Sequence, residues 1–96
     1  MVLYSENVRN SLVAVSTTSV LLSTAKRRSE IVITNTSTAA QNITLSFGTQ
    51  AVATYGVLLA PFSSYFASNT QGFNVWEGEI FAIASAINGQ VSIFER

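Results

Sequence analysis

The clearest signal along the chain is the alternation of apolar and polar positions. Asn42-Ile43-Thr44-Leu45-Ser46-Phe47 alternates strictly, so a strand here puts Ile43, Leu45 and Phe47 on one face and Thr44 and Ser46 on the other. Glu30-Ile31-Val32-Ile33-Thr34-Asn35 is a β-branched run with Ile31 and Ile33 directed inward, and Val32 left to cover something on the second face. The small, polar stretch Thr36 to Gln41 between them suits a hairpin. Shorter strands are expected at Leu12 to Val15, Val20 to Ser23, Val57 to Ala60, Ser64 to Ala67, Phe73 to Trp76 and Gln90 to Phe94, with a longer one at Glu79 to Ala86. The last of these lacks a helical stripe and sets Phe81 and Ile83 against small residues, as in a strand packed on both faces. Asn88-Gly89 is a two-residue hairpin signal, because both residues tolerate the positive φ of a type I′ turn. Pro61 stops a strand, and glycines punctuate the other joints.

About eight short strands at this spacing predict an all-β chain: a single antiparallel β-sandwich, jelly-roll-like, with strand order open between a jelly roll and an immunoglobulin-like sandwich. The 96 residues hold one core, so the domain is expected over 11–96. Met1 to Asn10 lacks a strand pattern and is read as either an N-terminal arm that docks on a neighbour or a frayed end.

Composition narrows the chemistry. The 23 Ser and Thr fit pleated strands, and only 10% of residues are charged against 48% hydrophobic, with net charge zero. So few charges leave part of the surface to be buried against neighbours. There is no Cys, His or Asp, and every acid is one of Glu6, Glu30, Glu77, Glu79 and Glu95. Disulfides, thiol or triad nucleophiles and the commonest metal ligands are therefore absent from the chain, and neither a catalytic site, a metal nor a cofactor is expected. Glu77-Gly78-Glu79 brings two carboxylates together near Trp76, but a turn of this kind normally leaves both solvated. Lys26-Arg27-Arg28 is too small a basic patch for nucleic acid, and is read as a solvated turn or a contact in which Arg27 or Arg28 meets a Glu from a neighbour. The sequons at Asn35 and Asn42 are read as chance triplets. No secretion signal is read at the start, and the apolar stretches Leu12 to Leu22 and Ile80 to Ile87 are too short to span a bilayer.

Among the ten aromatics, Phe47, Phe81 and Phe94 are expected in the core. Phe62, Tyr65, Phe66, Phe73 and Trp76 are denser than a small core needs and could form an exposed ledge for a protein or a sugar. With Tyr4, Arg27 and Arg28 they make up the candidate interface.

The run Arg28-Ser29-Glu30-Ile31-Val32-Ile33-Thr34-Asn35, the segments Ile43-Thr44-Leu45-Ser46-Phe47-Gly48 and Gly56-Val57-Leu58-Leu59-Ala60-Pro61, Tyr65, and the closing Ile80 to Ala86 and Gly89 to Glu95 resemble small β-sandwich proteins of bacterial and archaeal virus particles. The resemblance covers Arg28 to Arg96 and departs from the pattern in low charge and at Trp76-Glu77-Gly78. It implies a non-enzymatic virion structural protein, of capsid decoration, vertex or fibre-base type. Such a protein would be located in the virion, homo-oligomeric and bound to capsid or other virion proteins. The alternative is a carbohydrate- or receptor-binding β-sandwich module using the aromatics.

Overall fold

The computed structural model describes residues 8–69 and 74–96. Eight strands run in the order β1 (Arg9–Val15), β2 (Val20–Ser23), β3 (Glu30–Asn35), β4 (Ile43–Phe47), β5 (Val57–Leu59), β6 (Ser64–Ser68), β7 (Ile80–Ala84) and β8 (Gly89–Glu95). They form two antiparallel four-stranded sheets, β1-β8-β3-β6 (sheet A) and β2-β7-β4-β5 (sheet B). The pairings nest: β4 with β5, β3 with β6, β2 with β7 and β1 with β8, as if one long hairpin with its tip at β4–β5 had been rolled up. Rolling adds the seams β3–β8 and β4–β7, and the result is the strand order of a jelly roll. The choice between jelly roll and immunoglobulin-like sandwich is thereby made.

Alternation sets the core. Ile31 and Ile33 of β3 and Val91 and Ile93 of β8 face Ile43 and Leu45 of β4 and Ile80 and Ala82 of β7, all essentially sealed from solvent. These are the two central strands of each sheet, where burying each large side chain contributes about 1.5–3 kcal/mol. β2 and β3 have the bounds expected of them. Four local expectations are corrected. Thr36 to Gln41 and Asn88-Gly89 do not close hairpins, because β3 and β4 lie in different sheets, as do β7 and β8. Asn88 does take a positive φ of 65°, but Gly89 already begins β8. Asn74 to Trp76 forms no strand, and Phe73 lies outside the described residues. The first strand begins at Arg9, inside the stretch expected to lack one.

The outer faces differ. Across sheet B, the connection 48–56 lies over the strands: Ala51 N–H donates to Ser19 Oγ (2.8 Å) and Thr54 N–H to Thr44 Oγ1 (3.1 Å). Gly56 closes that connection at φ 132°, where a Cβ would collide with the Leu45 carbonyl oxygen. Sheet A has no such cover among the described residues. Its register lines up Phe94, Val32 and Phe66 across three strands on the outer face, with Leu12 on the next row. Phe94 is thus an outward residue, because the inward positions of β8 go to Val91, Ile93 and Glu95.

Candidate functional site

The charges of the described residues gather at one end of the sandwich. Arg28, just before β3, is fully buried at its side chain, and its Nε donates to Glu95 Oε2 at 2.6 Å. Nη1 donates to the carbonyls of Trp76 (2.8 Å) and Gly78 (3.1 Å), while Nη2 donates to Ser23 Oγ (2.9 Å) and the Thr24 carbonyl (2.8 Å). Every arm of the guanidinium fork is used, a set of acceptors that a lysine could not match. Glu95 also accepts from Ser23 Oγ at 2.8 Å and lies 3.5 Å from Lys26 Nζ and 3.6 Å from Arg9 Nε. This clasp ties the ends of β2, β3 and β8 to the segment 74–79. The expectation that Arg28 meets a neighbour's Glu is corrected: its partner is Glu95 of its own chain, brought close because β3 and β8 are adjacent. Arg27, by contrast, is exposed.

Burial alone would raise the Glu95 carboxyl, but the hydrogen bonds from Arg28 and Ser23 and the charges of Lys26 and Arg28 outweigh it and hold the group below its ordinary range. A folded-state pKa below the unfolded one contributes stability above the unfolded value, and that contribution is lost as pH falls through the folded one. Urea midpoints measured from pH 7 down to pH 3 are therefore expected to fall on the acid side. In Glu95→Gln that acid limb should flatten, from a lower starting stability.

The clasp also positions Trp76. The Trp76 indole N–H donates to the Glu79 carbonyl (3.0 Å), and its ring stands edge-on to Phe47 with centroids 6.5 Å apart. Gly78 and Gly48 leave room for that ring, which remains 43% exposed. Beside it opens a cleft of about 530 Å³ lined by Arg27, Asn69, Asn74, Val75, Trp76 and Glu77. An indole ringed by amides, a guanidinium and a carboxylate offers a stacking face with donors and acceptors around it.

The structure separates the expected aromatic ledge. Alternation along β6 sends Tyr65 inward onto Phe47, with centroids 5.2 Å apart, and Phe66 outward, 47% exposed. Phe62 is 74% exposed in the turn before β6, at φ 63°. Tyr4 and Phe73 lie outside the described residues. Glu77 and Glu79 are exposed, and no three or more His, Cys, Asp or Glu side chains cluster as metal ligands among the described residues. Among those residues no helix is long and apolar enough to cross a membrane. Asn35, the other end of the β3 motif, is fully buried: its Nδ2 donates to the carbonyls of Gln41 (2.9 Å) and Leu59 (3.1 Å), so this sequon is closed to modification in the folded protein.

Reasoning from sequence missed Glu95, Ser23, Lys26 and Arg9 as a group. Their convergence depends on β8 lying between β1 and β3. Compared with protein-family models, curated proteins and solved structures, the chain matches none.

Proposed function

We propose that this protein is a non-enzymatic structural component of a virus particle, forming part of a capsid or decorating it through repeated β-sandwich contacts. The observation that carries the reading is the strand order of the two sheets, the roll used by capsid domains as well as by lectins and cupins. Fold alone does not choose among these. Support for the capsid reading comes from the residues Arg28 and Asn35, which bracket β3. They begin and end the run whose sequence resembles that of particle proteins, and both are buried and hydrogen-bonded. A scarcely charged surface rich in hydroxyls, with an outer face of sheet A that no other described segment covers, suits flat contacts with copies of itself or with a shell protein. The test is co-sedimentation: an antibody raised against the chain should follow intact particles through a density gradient and label their surface or vertices. Finding the chain only in the soluble fraction while particles form would falsify the reading.

A second reading rests on the Trp76 cleft, whose aromatic face and amide rim suit a saccharide. Saturable signal on a glycan array, abolished in Trp76→Ala, would move the assignment to a carbohydrate-binding module.

A further inference from the structure

Each sheet ends in two edge strands, and the protein treats them differently. In sheet B, β2 is interrupted by a register shift between Leu21 and Ser23, and β5 is three residues long and followed closely by Pro61. Both are devices that stop an edge from recruiting another strand. In sheet A, β1 spans seven residues and β6 five, with no proline or register shift, and with Arg9 at the start of β1 as the one charged residue in either strand. Among the described residues each pairs with a strand on one side alone, β1 with β8 and β6 with β3.

We infer that sheet A is the assembly element: the β1 edge of one copy of this chain pairs with the β6 edge of the next, head to tail. The strands of sheet A alternate in direction, so β6 runs antiparallel to β1. A second copy in the same orientation therefore presents β1 in the direction that antiparallel pairing with β6 requires. One kind of contact covers both open edges, whereas a two-fold β1–β1 contact would leave β6 bare.

The side chains fit this occupant. Leu12 is the midpoint of β1 and 67% exposed, and Phe66 is the midpoint of β6 and 47% exposed. Both lie on the outer face of sheet A. Aligning the midpoints sets Phe66 opposite Leu12 of the next copy, extending the Phe94–Val32–Phe66 row across the junction. On the core side the same register sets Tyr65 against Val13, both only partly buried. The pairs from Ser64 to Ala67 contain no charged side chain, which suits a copy of the same neutral face and not a polyelectrolyte. Further along, Arg9 falls beside Asn69 of the next copy; among the described residues Arg9 Nε and Nη2 have no hydrogen-bond partner, and Nε lies 3.6 Å from Glu95 Oε1. A single strand edge buries less than the roughly 800 Å² per partner of a standard interface, so the contact is stable when the series closes into a ring that holds each copy twice.

This contact deepens the reading of the chain as a particle subunit and rests on it for its setting, but its test needs no particle. The chain has no cysteine, so Leu12→Cys and Phe66→Cys each introduce a single thiol. A short bis-maleimide should bridge a mixture of the two variants and leave each alone unbridged, and the double variant should give a ladder of multimers. Sedimentation of the unaltered chain should show a discrete oligomer above a dimer. Leu12→Lys should reduce it to monomer while circular dichroism and melting stay close to those of the parent. A monomer at all concentrations, bridging of either single variant as strong as that of the mixture, or an oligomer that survives Leu12→Lys overturns the inference. Self-association without particle incorporation would retain the edge contact and remove the particle reading; incorporation of a chain that never self-associates would do the reverse.

Discussion

Arg28→Ala is expected to be the most damaging of the single substitutions considered. It removes five hydrogen bonds from a side chain with no solvent exposure and leaves Glu95 buried with only Ser23 and the more distant Lys26 and Arg9 as partners. Breaking a buried ion pair from one side costs about 3–5 kcal/mol, because the remaining charge stays desolvated. Domains of this size have about 5–15 kcal/mol in total, so the variant should melt at least about 12 °C lower, if it folds at ambient temperature. Arg27→Ala is the control: the residue is exposed, and its stability change should stay within about 0.5 kcal/mol. Arg28→Lys should recover little, since a single ammonium cannot reach Glu95 and the carbonyls of Thr24, Trp76 and Gly78 together. The pair Arg28→Met with Glu95→Leu should lose less than Arg28→Ala, because the Glu95 carboxylate is no longer left buried without the guanidinium, although the carbonyls of Thr24, Trp76 and Gly78 still lose their donor. If Arg28→Ala melted within a few degrees of the parent, the clasp would not be a structural element. Its buried charges would then need another explanation.

The second large effect is expected at Asn35. Its side chain serves three backbone groups that come from different parts of the roll: Nδ2 donates to the carbonyls of Gln41 and Leu59, and Oδ1 accepts from Ser37 N–H at 3.1 Å. Its own backbone is equally engaged, N–H with the Ser63 carbonyl at 3.0 Å and C=O with Phe62 N–H at 2.8 Å. One residue at the end of a sheet A strand thus holds the connection to β4, the end of β5 and the turn into β6. Asn35→Ala strands the three groups in a fully buried place at about 1–3 kcal/mol each. Shared relaxation makes the sum less than additive, so a loss of about 3 kcal/mol in urea denaturation is expected. Asn35→Asp should be worse at neutral pH, where a carboxylate would face two carbonyl oxygens, and should partly recover under acid, where protonation restores one donor. Asn42→Ala, at the exposed sequon, should be neutral. Equal effects at the two asparagines would contradict this account.

Legibility from sequence follows how local each determinant is. β3 and β4 were readable because a buried face imposes a period of two, and Ile31, Ile33, Ile43 and Leu45 obey it without exception. Asn88 shows the limit: its chemistry favours a positive φ, and it has one, yet a turn residue does not say which sheet the next strand joins. In a sandwich whose chain passes repeatedly between layers, hairpin signals therefore mark corners as readily as hairpins. Val75 misled in another way. Its neighbours alternate like a strand, but it is buried as a plug beneath a segment held by Arg28 from the side. The polar start of β1 was invisible because Arg9 and Asn10 are held by pairing with Glu95 and Phe94 and not by an apolar face. The Arg28–Glu95 clasp was out of reach for the same reason as strand order: its two charges are 67 positions apart, and only the β3–β8 seam brings them together.

That seam has a consequence for how the protein is made. β8 lies inside sheet A, between β1 and β3, although it is the last of the eight described strands to be synthesised. Until residue 95 is free, β1 has no neighbour, β3 lacks one of its two, and the carboxylate of the clasp is missing. Earlier pairings such as β4 with β5 close over short distances, while joining residues 9 and 95 requires closing nearly the whole described chain, a slow step in topologies dominated by distant contacts. A chain that has not yet made β8 therefore has no complete sheet A, and β1 stays without its partner until all the other described strands have been made.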